Sequence, residues 1–457
     1  MTAAVAGSRH GLGLTIAATS LGFVLVQLDV SIVNVALPRI ATSLGADVHG
    51  LQWVVDAYTI AFAALLLSAG ALGDRFGGRR AYLAGFALFI LASIGCGLAP
   101  SVPALIAARA VQGIGAALLV PCSLTLLTHA CGDDEATRGR AISLWTAAAS
   151  VALAAGPILG GALVDSAGWR SIFLVNVPVG LIGIWLTVRF VDESPRREGG
   201  LDLPGQALAL LTLSSLTGAV IEAGRLGPAP LVLAGFAIAL ASGTGFVLVE
   251  RRTRRPMLPL GFFKDRTFRA ATLAGLLINL TLYGAIFVLG LYLQQIRGYS
   301  PLMSGLAFLP FAIALGVANI GAGWLGGRMG LRGPMTVGLI LAAIGYGLLW
   351  SLDTRTAYLT MMPGLILMPA GIGLAVPLMT TALLGTVPRS HSGVASGILN
   401  TVRQTGGAVG VALYGALLGG WGLAGFRTAF EISAVLLAGA AVAALCGIHA
   451  PARKQHT

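Results

Sequence analysis

Apolar residues in this chain come in long unbroken blocks rather than in alternation. The blocks run for about 18 residues or more, the length needed to cross a ~30 Å hydrocarbon core. Continuity excludes a membrane barrel, whose strands alternate apolar and polar positions. Fourteen blocks can be marked, at approximately 12–36, 51–72, 81–99, 103–127, 140–164, 171–190, 204–223, 229–249, 269–294, 303–325, 334–352, 357–385, 393–419 and 428–449. Each predicts a transmembrane helix. The segments between them are short and polar.

The basic residues in those segments fix an orientation. With the N-terminus inside, twenty-one of the 29 Lys and Arg residues fall in inner segments and six in outer loops, with no outer loop holding more than one. The remaining two, Arg109 and Arg403, lie inside spans. Cytoplasmic loops of membrane proteins carry this excess, so the pattern predicts fourteen spans with both termini cytoplasmic. The most basic stretch, 250–268, is expected to anchor the chain on an anionic inner leaflet or to bind a partner.

The chain also repeats. Gly70 to Arg80, GALGDRFGGRR, has an echo 253 residues later at Gly323 to Arg332, GWLGGRMGLR. Gly70, Leu72, Gly73, Arg75, Gly77 and Arg79 match Gly323, Leu325, Gly326, Arg328, Gly330 and Arg332, while Asp74 faces Gly327. Gly113-Ile114-Gly115 with Pro121 similarly resembles Gly371-Ile372-Gly373 with Pro377. A fixed offset signals two copies of one unit. The division predicted is a six-helix half at 1–190, a linker with an inserted hairpin at 191–268, and a second six-helix half at 269–457. Six-helix repeats around a cavity are a transporter architecture.

Composition narrows the classes further. The chain is 56% hydrophobic and 10% charged over 457 residues, far too apolar for a soluble protein of this size. A net charge of +12 would suggest nucleic acid in a soluble chain. Here the basic residues sit in loops on one side without interleaved aromatics, and nucleic-acid binding is dropped. Cys96, Cys122, Cys131 and Cys446 have no metal-like spacing and are expected to be free thiols. Only Arg9 precedes the first apolar block, which is too long for a signal-peptide core.

Several ordered motifs now carry a resemblance. LDVSIVNVALP (Leu28 to Pro38), the loop from Gly70 to Arg80, RAVQGIG (Arg109 to Gly115), GPILGG (Gly156 to Gly161), WRSIFLVNVPVG (Trp169 to Gly180), GYSPLMSG (Gly298 to Gly305) and SGILNTVRQTGGAVG (Ser396 to Gly410) together resemble the major facilitator superfamily, specifically its fourteen-helix drug:proton antiporter branch. The loop departs from the superfamily pattern at Gly78, where a basic residue is usual, leaving Arg79 and Arg80 to supply the charge. The resemblance implies an all-α polytopic fold with two six-helix halves plus two inserted helices. It also implies a proton-coupled exporter in the cell membrane of a bacterium, working as a monomer without cofactor or metal. Its partners would be a small-molecule substrate, protons and the lipid bilayer.

Physical chemistry gives the motif residues their expected roles. Asp29 lies inside an apolar block, where loss of water disfavours the charged carboxylate. It is expected to couple transport to a proton, or else to be satisfied by hydroxyls or paired permanently with an arginine. Arg109 would hold a nearby carboxylate ionised, with Gln112 as a polar neighbour, or form a structural pair. Gly73, Asp74, Arg75, Gly77, Arg79 and Arg80 are expected to latch the inner face shut, or only to anchor the topology. Gly156, Pro157, Gly160 and Gly161 allow close helix approach and a kink, sealing the route against ion leak. Asn279, Tyr283, Phe287, Asn319, Asn400, Arg403 and Gln404 are cavity candidates, being polar or aromatic in mid-span; Asn34 and Asp56 join them, Asp56 reading either as a cavity residue or as an acid of the outer vestibule. Trp53, Tyr58, Trp169 and Trp350 are expected at the membrane interface.

Three classes of function were weighed. An exporter of drugs, antibiotics or other hydrophobic or cationic compounds fits the motifs. No GxxxxGK[ST] segment is present to bind ATP, so the proton gradient is the energy source. Export of one endogenous secondary metabolite is the narrower alternative. A nutrient symporter is opposed by the Gly-Pro motif. An enzyme would need clustered His, Cys or acids, and the six histidines are scattered.

Overall fold

The computed structural model of the protein describes residues 2–132, 134–194, 202–253, 256, 258–350, 352–353, 356–388 and 392–448. Arg196, Arg197, Glu198, Arg254, Arg255, Arg355, Arg389, Arg453 and Lys454, used above for linkers and orientation, lie outside the described residues.

The described residues form helices and no strand. In chain order they are α1 (Thr2–Leu44), α2 (Val48–Phe76), α3 (Gly78–Gly97), α4 (Val102–Ala130), α5 (Glu135–Ala167), α6 (Ser171–Leu174), α7 (Asn176–Phe190), α8 (Leu203–Leu226), α9 (Pro230–Arg252), α10 (Arg266–Leu291), α11 (Pro301–Ala307), α12 (Leu309–Met329), α13 (Arg332–Leu349), α14 (Tyr358–Leu384), α15 (Ser392–Trp421) and α16 (Leu423–Gly447). Twelve helices are long and apolar enough to cross a membrane, and thirteen if the bent α2 is one span. The thirty-residue α15 stands outside that group. It carries Asn400, Arg403 and Gln404 within its apolar run.

The breaks have local causes. Proline lacks an N–H and clashes with the carbonyl four residues back. Pro178 therefore separates α6 from α7 near Leu174, and Pro310 separates α11 from α12. Helix α2 bends by 55° between Val48–Leu66 and Ser68–Phe76. Gln206 of α8 inserts there: its Nε2 donates to the Ala64 carbonyl at 2.6 Å, and its Oε1 accepts from the Ser68 hydroxyl. A side chain entering the backbone ladder is a recognised cause of such a kink. Helix α2 starts where Asp47 Oδ1 accepts from the Gly50 N–H at 2.8 Å, a standard N-cap.

The chain divides into two compact units. The first comprises Met1–Leu216, Ala234–Met257 and Gly290–Leu306; the second comprises Thr217–Leu233, Leu258–Leu289 and Ala307–Thr457. In the first, Tyr82 ties α3 to α1: its hydroxyl accepts from the Gly22 N–H at 2.9 Å and lies 3.0 Å from the Ala18 carbonyl. Its ring packs edge-on against Phe86 at 4.8 Å. In the second, α10 and α15 meet through glycines. A methyl group on Gly406 would fall 2.3 Å from the Leu276 carbonyl oxygen, and one on Gly410 would fall 2.0 Å from that of Leu280.

Candidate functional site

Glycines in α4 set the approach that builds the site. A methyl group on Gly113 would lie 2.4 Å from the Tyr58 carbonyl oxygen of α2. This contact brings Arg109, one turn earlier, against α2. The Arg109 Nε donates to the Val54 carbonyl at 3.1 Å, and the guanidinium carbon sits 4.2 Å from the centre of the Tyr58 ring. Phe173 of α6 adds a second ring at 5.8 Å.

The charge of Arg109 is met by Asp29 of α1. Nη1 donates to Asp29 Oδ2 at 2.5 Å and to Gln112 Oε1 at 2.6 Å. Gln112 Nε2 donates to Asp29 Oδ1 at 2.9 Å and to Ser93 Oγ of α3 at 2.8 Å. Asn176 of α7 donates to the same Asp29 oxygen at 3.0 Å. The pair is sealed, with Arg109 1% exposed and Asp29 0%. Charge-assisted bonds of this kind are the strong ones, and a pair buried this deeply survives only when its remaining hydrogen-bonding positions are filled. Six helices contribute to this arrangement.

The three residues expected to act together, Asp29, Arg109 and Gln112, are thus in direct contact. Ser93, Asn176, Tyr58 and Phe173 complete the network. Tyr58 corrects an expectation: it is 1% exposed and stacks on the arginine rather than lining the interface. Trp169 is likewise buried, with Arg170 above its ring at 4.3 Å.

Asp56 presents the opposite case. It is fully buried in α2, and neither carboxylate oxygen has a hydrogen-bond partner among the described residues. Burying a charged group without partners is costly.

The loop between α2 and α3 places a second constellation. Gly77 ends α2 at φ 103°, in the region open to glycine, and its echo Gly330 has φ 75°. Glu193, just beyond α7, caps α3. Its Oε1 accepts from the Arg79 N–H at 2.8 Å, and Ser194 Oγ accepts from the Gly78 N–H at 3.0 Å. A carboxylate at a helix N-terminus is favourable. Arg79 Nη2 donates to the Val188 carbonyl at 2.6 Å, and Arg80 lies 3.9 Å from Glu193. Arg75 is exposed and faces the Phe76 ring at 5.4 Å. Gly73 packs on Cys122: a methyl there would fall 2.8 Å from its sulfur. Asp74 is half-buried. In the echo, Arg328 stacks on Trp324 at 4.0 Å, and the residue preceding α13 makes no side-chain cap.

GPILGG is a packing surface. A methyl on Gly156 would lie 1.8 Å from Ser31 Oγ, and one on Gly160 would lie 2.7 Å from the Ile32 side chain, both in α1. Gly161 faces the Pro301 carbonyl, and Gly305 faces the Pro157 carbonyl. Asp165 Oδ2 accepts from the Leu302 N–H at 3.0 Å. Two motifs 140 or so residues apart are therefore one contact.

The remaining cavity candidates divide. Asn34 is buried and bonds its own helix at the Val30 carbonyl, 2.9 Å. Asn279 does the same at Gly275, 3.0 Å. Phe287 is fully buried within its unit. Tyr283, Asn319, Asn400, Arg403 and Gln404 are half-buried. Among the described residues no group of three His, Cys, Asp or Glu side chains is placed to hold a metal.

A sequence model of the Major Facilitator Superfamily matches residues 19–411. The chain belongs to that superfamily. This facilitator is 40% identical over 410 residues to the multidrug resistance protein Stp of Mycobacterium tuberculosis, covering 89% of the chain and 76% of the relative. It is 38% identical over 416 residues to the methylenomycin A resistance protein of Streptomyces coelicolor, covering 90% and 87%. Its fold is similar to that of the inward-open xylose transporter XylE from E. coli, with a TM-score of 0.67 at 16% identity, covering 97% of this chain and 98% of the other. At that identity the likeness concerns fold alone. The facilitator is a multi-span protein of the cell membrane.

Proposed function

We propose that this facilitator exports drugs, antibiotics or other hydrophobic or cationic small molecules in exchange for protons, by alternating access. The reading rests above all on the buried Asp29–Arg109 pair. Two charges inside the apolar region of a membrane protein are expensive and characteristically functional. Asp29 holds Arg109 in this conformation as a carboxylate. A proton on Asp29 would remove the charge–charge attraction and free Arg109 and Gln112 to re-pair. Asp56, with no partner to keep it charged, is the acid suited to hold a proton meanwhile.

Export rather than uptake is supported by the names of the relatives and by the tight Gly156–Ser31 and Gly160–Ile32 contacts, which suit a seal against ion leak. The Glu193 cap with Gly77, Arg79 and Arg80 suits a latch that breaks when the inner face opens. The fuller proposal has fourteen spans, both termini cytoplasmic, and a division at 1–190, 191–268 and 269–457. The protein would act as a monomer without cofactor, drawing ~2.3 kcal/mol per charge and 100 mV from the membrane potential. The methylenomycin relative favours a narrower version in which one antibiotic is the substrate.

The test uses everted vesicles energised by respiration, with a quenched pH dye and a panel of drugs and dyes. Substrate-dependent dequenching that is absent in Asp29→Asn and Asp56→Asn is expected. Wild-type dequenching by Asp29→Asn would remove that residue from coupling.

A further inference from the structure

The second unit also holds an arginine in mid-helix, and its surroundings contain no acid. Arg403 of α15 packs its Cγ 3.3 Å from where a methyl on Gly275 of α10 would stand, with Met379 of α14 equally close to that point. It sits therefore where three helices meet. Its Nε is buried without a hydrogen-bond partner, and no carboxylate pairs with it among the described residues. The Tyr283 phenol is near enough to interact with its charge, and the Tyr283 ring lies 3.0 Å from where a methyl on Gly407 would stand.

The sequence explains why no carboxylate is at hand. The second unit contains four acids: Glu222, Asp265, Asp353 and Glu431. Glu222 is bonded to Arg225 at 2.8 Å. Asp265 caps α10 through the Phe268 N–H at 2.9 Å. Asp353 bonds Thr356 at 3.0 Å, and Glu431 is exposed on α16. Helices α10, α14 and α15 carry none. The other cations on them, Arg266 and Arg269, are in the first turn of α10, more than two turns of helix before Asn279. A guanidinium cannot shed its proton. It is planar and weakly hydrated, the side chain best suited to grip a carboxylate with paired bonds. Holding that charge in mid-membrane without a partner is unfavourable unless something anionic arrives.

We infer that Arg403 is a binding residue for an anionic group, foremost a carboxylate, on the transported compound. This deepens the export reading and rests on it. Tyr283 offers a flat ring beside the charge, so the class of ligand is an aromatic or otherwise planar acid. The mid-span position separates this contact from lipid headgroups.

The test measures binding by titration calorimetry on purified full-length protein in detergent. The probes are coumarin-, naphthalene- and anthraquinone-carboxylic acids, each beside its methyl ester, with ethidium as a cation. Wild type should bind acids about tenfold or more tightly than their esters. Arg403→Gln should abolish that preference, and Arg403→Lys should keep part of it. All three proteins should elute as one monodisperse peak, which separates lost recognition from lost folding. An undiminished preference in Arg403→Gln, or no preference in wild type, overturns the inference. The vesicle assay separates the two readings. Ethidium-driven dequenching without acid preference leaves export standing and this inference fallen. An Arg403-dependent preference with no dequenching by any probe does the reverse.

Discussion

Two mid-helix arginines, the buried Arg109 in the first unit and the half-buried Arg403 in the second, live in opposite surroundings. Arg109 is closely partnered: its Nε and Nη1 donate to a backbone carbonyl, a carboxylate and an amide, and an aromatic face lies against its charge. Arg403 has an unbonded Nε and a phenol for company. The same side chain is thus paired and enclosed in one place and left with an unbonded nitrogen in the other. The difference lies in the neighbours. The first unit sends Asp29 to meet its arginine, with Asn176 bonded to that carboxylate, whereas the helices around Arg403 contain no acid at all.

Substitutions can break or sharpen this contrast. The largest effect is expected from Arg109→Gln, which leaves Asp29 buried and unpaired. Stability should fall by about 3–5 kcal/mol, read as an early thermal transition in detergent with little protein reaching the membrane. Gly77→Ala comes next, because the residue has a positive φ and the Glu193 carboxylate lies 2.7 Å from where the new methyl would sit. A loss of more than about 1 kcal/mol should accompany slower transport at normal abundance. Tyr58→Leu removes the ring beneath Arg109 and should cost about 1–2 kcal/mol, with Tyr58→Phe retaining most of it. Arg403→Gln should be nearly silent, within about 0.5 kcal/mol of wild type, since it orphans no partner. A large loss there would mean that the second arginine is structural after all.

Asp56 refines the same comparison on the acidic side. Asp29→Asn should destabilise by stranding Arg109. Asp56→Asn removes a carboxylate with no partner and should leave the melting transition unchanged while abolishing substrate-dependent dequenching. Equal destabilisation by both would place Asp56 in a permanent bonded network.

Much of this was legible in the chain. Asp29, Arg109 and Gln112 stand out as polar residues in apolar blocks, and their meeting follows from the cost of leaving either charge alone. Gly77 and Gly330, matched in the repeat, both have positive φ. Ser93 and Asn176 were harder. Each is one small polar residue in an apolar helix, and only packing the helices together shows that Asn176 bonds the Asp29 carboxylate while Ser93 accepts from Gln112. Tyr58 was misplaced because a tyrosine near a block's edge suits either an interface or a cation, and sequence alone does not tell how deep it sits. Glu193 falls inside the 191–268 linker and gives no sign of its role there, since acting as a cap requires the end of α7 to return beside the start of α3. Helix α15 is marked by the same residues that interest us: its polar mid-span side chains set it apart from the twelve apolar helices.

The Gly156–Gly161 segment packs against Pro301–Gly305, and this has a consequence for synthesis. The first unit is unfinished when residue 190 leaves the ribosome, because one of its tight contacts is still about a hundred codons away. At about 5–20 residues per second, the glycine face of α5 waits roughly 5 to 20 s in the bilayer without its match. During that interval the nascent chain is a substrate for membrane proteases and insertion chaperones. Pausing or silent codon changes between positions 190 and 306 would then alter yield without altering the protein.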